Sequence, residues 1–364
     1  MIGPARPKVS RLRRAVLGAA VLWLAAAVSV AAPPSPGRVE LVAGDGLNEP
    51  FGVDFDAAGN SYIVEMGGNR VTALDAGGGR RVLASDLKGP HHLLVGPDRA
   101  LYVTDTWNYR VRRFDLRTGT STVVAGTGEK AYGGDGGPAT AAAFGGIFSI
   151  AFHAGDLYIC DLDNRRIRRV TGKTGIVTTV AGNGEKGVPK DGEDARAQPL
   201  VDPRAIAIDK KGNLYIAERG GHALRVVDAA GRIRTVAGTG VAGAGGDDGP
   251  ALAAQLKGPK HIFVEPSGDV LITDTENHVI RRYVPRDGSI HRVAGTGAVG
   301  TGGIGAAPRV PAQPAARRGH PPEDGRPLHL RQREPPRDPG REALRTTNDR
   351  CGAAAPRRRG VARK

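Results

Sequence analysis

His92 and His261 stand at the same place in two copies of one recurring phrase, and two neutral imidazoles facing each other could hold a divalent metal. Beside them, His91, Arg204 and Lys260 are the groups that would attract an anionic ligand. A protein-built zinc site needs more than two histidines, so a metal there requires further donors; solvated rim residues are the plain alternative. Other chemistries are less complete still. Asp135 and the pair Asp247 and Asp248 suggest calcium, but each loop offers too few oxygens for an EF-hand cage, and turn formation accounts for them. The glycine-rich GDGGPA stretch lacks the Lys-Ser/Thr of a phosphate loop, and no serine stands in a G-x-S-x-G elbow. Of the two cysteines, Cys160 replaces Val64, Thr104, Ala217 and Thr273 of the other copies and reads as a small core residue; Cys351 is far from it in the chain.

The elements that must position these groups repeat five times. LYVTDTWNYRVRRFD (101–115), LYICDLDNRRIRRV (157–170) and VLITDTENHVIRRY (270–283) are the clean copies; SYIVEMGGNRVTALD (61–75) and LYIAERGGHALRVVD (214–228) are looser. Alignment puts Glu65, Asp105, Asp161, Glu218 and Asp274 at one position, with Asn108, Asn164 and Asn277 three residues later. Each unit reads as four short strands rich in Val, Ile, Thr and Tyr, separated by Gly, Asp and Asn, and ends in STVVAG, VTTVAG, IRTVAG or IHRVAG. Units of this length with four strands read as propeller blades, an all-β architecture with at most a helical turn or two at PATAAAF (138–144) and PALAAQL (250–256). Groups repeated in every blade do the blade's own work. The acids cap their turns through backbone N–H groups, and Arg112, Arg168, Arg225 and Arg281 are expected in surface ion pairs. The residues that differ from blade to blade open each first strand: Phe51-Gly52, His91-His92, Phe148-Ser149, Arg204-Ala205 and Lys260-His261. In a propeller these line one mouth of the central channel, with His92 and His261 on opposite blades of a six-membered ring, a separation that could prove too wide for one ion.

These phrases resemble the NHL-repeat family of β-propellers through the DxxNxxI-R core, and its bacterial secreted members through the connectors VAGTGEKAYGGDGGPA (124–139) and VAGTGVAGAGGDDGPA (236–251), with a degenerate third copy at 180–195. The resemblance covers roughly 38–304. It implies six blades around an axial channel and a role as a binding or scaffolding domain for a protein or small-molecule ligand. It also keeps open a metal-dependent lactonase-like hydrolase or lyase on the same frame.

Only five units are present, preceded by RVELVAG (38–44), which matches a fourth strand and is expected to complete the missing blade. From Gly305 onward the chain has no Phe, Trp, Tyr or Ile and ten of its 26 prolines, the composition of a disordered tail. Shifting the reading frame gives a sharper account. Joining the second and third bases of each codon to the first of the next lets Gly325 to Pro339 encode GDLYISDSENHRVIR, another copy of the repeat. The flanking Gln313 to Arg318 and Asn348 to Gly352 then encode the start and end of the same blade in order. A frameshift just after Ile304 is therefore expected.

Charge follows the same division. The formal +15 comprises five bases and no acids before residue 37, 15 bases and 6 acids from 305 onward, and a nearly neutral body of 32 bases and 31 acids. The basic excess thus lies outside the repeats, and with no aromatics interleaved on a basic face, nucleic acid is not an expected partner. Residues 1–32 have the basic start, apolar run (15–30) and small residues of a secretory signal peptide, followed by a linker at 33–37. Export to the periplasm or beyond follows, with an uncleaved anchor the alternative and no other membrane segment.

Overall fold

A computed structural model of the chain describes residues 38–39, 41–43, 46–300 and 305–306. The signal peptide, the linker and all but two residues of the tail lie outside the described residues. Five four-stranded antiparallel sheets follow one another as blades of a propeller. Blade 1 comprises Pro50–Phe55, Ser61–Glu65, Arg70–Leu74 and Arg80–Ala84, and blade 2 Leu93–Val95, Leu101–Asp105, Arg110–Phe114 and Ser121–Ala125. Blade 3 is Ile147–His153, Asp156–Asp161, Arg166–Val170 and Val177–Ala181; blade 4 is Pro203–Ile208, Leu214–Glu218, Ala223–Val227 and Ile233–Ala237. Blade 5 is Pro259–Val264, Val270–Asp274, Val279–Val284 and Ser289–Ala294, with Gly249–Pro250 added outside its last strand. The two alanine-rich stretches form single 3₁₀ turns at Ala139–Ala141 and Ala251–Ala253. No helix among the described residues is long and apolar enough to cross a membrane.

Burial is organised by the seams between blades. Strand alternation turns one side of each sheet toward its neighbour, and four apolar clusters result, between blades 1 and 2, 2 and 3, 3 and 4, and 4 and 5. Cys160 is wholly buried in the third of these, as a small core residue should be. Arg38–Val39 does not complete a blade: it pairs with Gly305–Ala306 in a separate two-stranded ladder.

The repeated acids are fully buried and each accepts a backbone N–H from the segment leading into its own blade: Asn48 to Glu65, Lys88 to Asp105, Gly145 to Asp161, Val201 to Glu218 and Lys257 to Asp274. Asn108, Asn164 and Asn277 donate to the same carboxylates and close the turn. The following residue, Asn69, Tyr109, Arg165, His222 or His278, takes a left-handed conformation, and in blades 2 to 5 the VAG glycine, Gly126, Gly182, Gly238 or Gly295, packs against its carbonyl. At Gly182 (φ +87°) a Cβ would lie 2.1 Å from the Arg165 carbonyl oxygen, so only glycine fits.

The repeated arginines, Arg112 apart, overturn the expectation of surface ion pairs. Arg168 and Arg281 are wholly enclosed and Arg225 and Arg112 nearly so. Arg112 pairs with the exposed Asp86 (2.8 Å), as expected of a surface ion pair, whereas the other three are held by acids of a connector or of their own blade. Asp135, in the connector before blade 3, takes both Nε (3.0 Å) and Nη2 (2.7 Å) of Arg168, and Asp247 holds Arg281 Nε at 2.9 Å. Arg225 pairs at 2.8 Å with Glu218 of its own blade. The second oxygen of Asp135 accepts from Thr179, as Asp191 does from Thr235 and Asp247 from Arg292. The connector acids therefore clamp connector to blade, which accounts for them without calcium.

Candidate functional site at the axial mouth

Each inner strand of blades 1, 3, 4 and 5 breaks register at its start, so that Phe51, Phe148, Arg204 and Lys260 are bulged residues. A bulge re-aims one side chain while leaving the rest of the ladder intact. His91 occupies the same place in blade 2. The turns carrying the repeated acids lie at this end too, because Trp107 N–H bonds to Lys88, Leu162 to Gly146, Arg219 to Asp202 and Glu276 to Lys257, each across to the segment entering its inner strand.

Four of the five bulge-position side chains meet. The His91 ring lies 4.7 Å from Phe51 and 4.5 Å from Phe148, and the Arg204 guanidinium rests 4.0 Å above Phe148 and 5.3 Å from Phe51. His91 Nδ1 reaches the Gly89 carbonyl at 2.8 Å. His91 and Arg204 are 4% and 6% exposed, so they are packed groups and not the solvated rim residues of the plain alternative. Burial, with Arg204 close by, pushes the His91 imidazole down to about 3. Burial also brings Arg204 down to about 9, and the nearby Arg219 adds to it. Lys260 turns away from this group and pairs with Glu276 at 2.8 Å.

The next residues in each strand form a second layer. His92 and His261 do come together, their ring centroids 5.0 Å apart, so the opposite blades are not too distant for contact. His92 Nδ1 accepts the Ile150 N–H of blade 3 (3.2 Å), which fixes its tautomer; Ser149 likewise accepts from Ile206 of blade 4. His92 and Ser149 are thus interblade latches. Burial holds His92 well below the ordinary histidine range, helped by His261, and brings His261 down to about 4. His261 Nδ1 is buried and without a partner. As a metal site the pair is incomplete: with Nδ1 accepting, His92 Nε2 carries the ring proton and leaves His261 as the open nitrogen donor, and no group of three His, Cys, Asp or Glu side chains that could share an ion occurs among the described residues.

An open depression of about 800 Å³ adjoins the mouth between blades 3 and 4, lined by Lys130, Asp163, Arg165, Lys186, Asp202 and Arg219 among others. Lys130 pairs with Asp163 (2.8 Å) and Arg219 with Asp202 (2.9 Å), which leaves Arg165 and Lys186 as its cations without an ion-pair partner among the described residues. Comparison of first-strand positions alone missed this cleft. Four of its lining residues, Leu162, Asp163, Arg219 and Gly220, occupy the two places after the repeated acids of blades 3 and 4; across the five units these places read Met66-Gly67, Thr106-Trp107, Leu162-Asp163, Arg219-Gly220 and Thr275-Glu276, and that variation was the available signal. Trp107, also at such a place, stands 5.3 Å from Phe148 and 5.8 Å from His91.

A family model described as the teneurin NHL domain matches residues 154–244, the last three strands of blade 3 and all of blade 4. Mouse teneurin-3 is 30% identical over 217 residues, 53% of this chain and 8% of its own length. The Arabidopsis thaliana chloroplastic protein SUPPRESSOR OF QUENCHING 1 is 27% identical over 208 residues, 50% of this chain and 19% of its own. The chain thus spans less than a fifth of either relative. Among solved structures, a structural-genomics protein of unknown function from Bacteroides thetaiotaomicron superposes with a TM-score of 0.56 at 16% identity, covering 76% of this chain and 64% of that one, a likeness of fold.

Proposed function

The chain is an NHL-repeat β-propeller, and from that premise we propose that it is an exported binding domain whose ligand occupies the axial mouth and the cleft between blades 3 and 4. The observation that carries this reading is a division of labour. The residues repeated in every blade are consumed by turns and clamps, whereas those that vary gather on one face around a depression of about 800 Å³ with two cations that have no ion-pair partner among the described residues. Concave sites with a few convergent polar groups are where ligands bind. The test is a thermal-shift screen of the purified chain against small organic acids, sugars and short peptides. A true ligand raises Tm by mass action, and the shift should vanish in Arg165→Glu with Lys186→Glu. A ligand whose shift survives that reversal binds elsewhere and sinks the assignment to this face.

His261 Nδ1, buried and unpartnered beside His92, favours a second reading as a metal-dependent hydrolase or lyase. Metal analysis after dialysis against zinc separates the two. One retained equivalent, lost in His92→Ala with His261→Ala together with any lactone hydrolysis, would replace the binding reading. Export rests on residues 1–32: N-terminal sequencing of periplasmic material should begin near Ala32, and an intact N-terminus in the membrane fraction would mark an anchor instead.

A further inference from the structure

Arg204 is the one bulge-position cation that the fold leaves unused. The residue is 6% exposed, yet its guanidinium makes no hydrogen bond or ion pair with any described residue and rests against the faces of Phe148 and Phe51. The other enclosed arginines are treated differently. Arg168, Arg225 and Arg281 each have a carboxylate within 2.9 Å. A buried guanidinium with no carboxylate in direct contact is costly to keep in a fold, and two aromatic rings hold this one in a fixed orientation while leaving its forked N–H donors without a described hydrogen-bond partner. Arg204 follows Val201 and Asp202 of the cleft's lining in the chain, so it stands beside that depression, and the lining groups Arg219, Asp202 and Asp163 act on it electrostatically.

We propose that Arg204 is an oxyanion receptor, taking the carboxylate or phosphate of a small ligand whose body lies across Trp107 and the cleft, with Arg165 and Lys186 as outer contacts. This rests on the reading of the mouth as the binding face and names the chemistry it selects. The fork of a guanidinium matches two oxygens of one anionic group. The aromatic surface of Phe148, His91 and Trp107 beside it suits an organic acid with a ring better than a bare inorganic ion.

The molecule carries its own reporter, since Trp107 and Trp23 are the only tryptophans and Trp23 lies in the proposed signal peptide. Tryptophan fluorescence of the full chain should be titrated at constant ionic strength with galacturonate, galactose, citrate and inorganic phosphate, using Trp107→Phe to identify the responding residue. Saturable changes with galacturonate or citrate and none with galactose are expected; a response to phosphate alone would assign the site to a phosphate ligand. Arg204→Gln should weaken binding at least about tenfold, the scale of a lost charge-assisted fork, and Arg204→Lys should restore only part of it. Arg204→Met should also raise Tm without ligand, because it removes an unpaired buried charge, whereas a purely structural arginine would lower it. Unchanged binding in Arg204→Gln overturns the receptor while leaving the face intact if Arg165→Gln still weakens binding. If none of the anions changes Trp107 fluorescence, the receptor is likewise overturned, and the thermal-shift screen still decides on the face.

Discussion

Asp135 keeps Arg168 inside the protein. Its carboxyl is held below the ordinary aspartate range; burial alone would raise it, but the hydrogen bonds from Thr179 and Arg168 outweigh that. Asp135→Ala would leave a wholly enclosed guanidinium with carbonyl acceptors, aromatic faces and the buried Asp161 4.0 Å away. The expected loss is about 3 kcal/mol, read by urea denaturation, with most of it recovered when Arg168→Met is added. A double variant no more stable than Asp135→Ala would mean the clamp contributes little. The histidines at the axis carry a second expectation. His91, with its folded value lowered to about 3, stays neutral in the fold, so its contribution is complete above about 6.5 and is lost as acid protonates the unfolded chain first. Asp161, raised to about 6 by burial, works the other way and gains stability as pH falls through 6 toward 4. Because these terms oppose, the difference between variants is the useful measurement. His91→Phe, which suits the surrounding rings, should lose about 3 kcal/mol less than the parent between pH 6.5 and 4. Parallel stability curves would show that His91 is not a buried neutral group.

At the scale of elements, the connector and the turn it touches form one device. The VAG glycine needs both a positive φ and the absence of a side chain, and these demands can be separated. Gly182→Ala places a Cβ against the Arg165 carbonyl and should cost roughly 3 kcal/mol; Gly175→Ala (φ +68°), with nothing within 4 Å of the new carbon, should cost only about 1 kcal/mol. Equal losses would show that backbone conformation, not close approach, fixes these glycines. This device also explains how much was legible in the sequence. The strands, the acid-to-Asn turns and the short turns at Ala139 and Ala251 could be read because each depends on local alternation, Gly and Asp placement, or a single helical turn. The burial of Arg168 and Arg281 could not, because an arginine-rich strand looks solvent-facing until a carboxylate from a connector some 33 residues earlier folds over it. The 5.0 Å meeting of His92 and His261 was illegible for the same reason: it depends on how far the inner strands stand from the axis. The cleft was partly legible, in the two variable places after each acid.

At the scale of the whole molecule, the seams decide stability. Four seams have apolar clusters, and among the described residues none joins blade 5 to blade 1. The faces turned that way keep apolar groups in water. Phe263 is 42% exposed and alternates with Ile262 and Val264, which pack toward blade 4; Val82, 52% exposed, lies opposite Thr72 on the side away from blade 2. Repeat arrays draw stability from neighbour interfaces, and an unfilled end exposes both apolar surface and a strand edge. The out-of-frame reading expected for residues 305–364 would supply an occupant of the right kind, one blade whose phrase repeats the DxxN turn. Restoring the frame just after the codon for Ile304 should therefore give a protein whose Tm is higher on the order of 10 °C and which stays monomeric, while the chain as it stands self-associates with rising concentration. Light scattering and calorimetry on the two proteins decide the matter. Stop codons in the shifted frame, or a restored protein no more stable and no less prone to associate, would mean that the seam between blades 5 and 1 is closed in some other way.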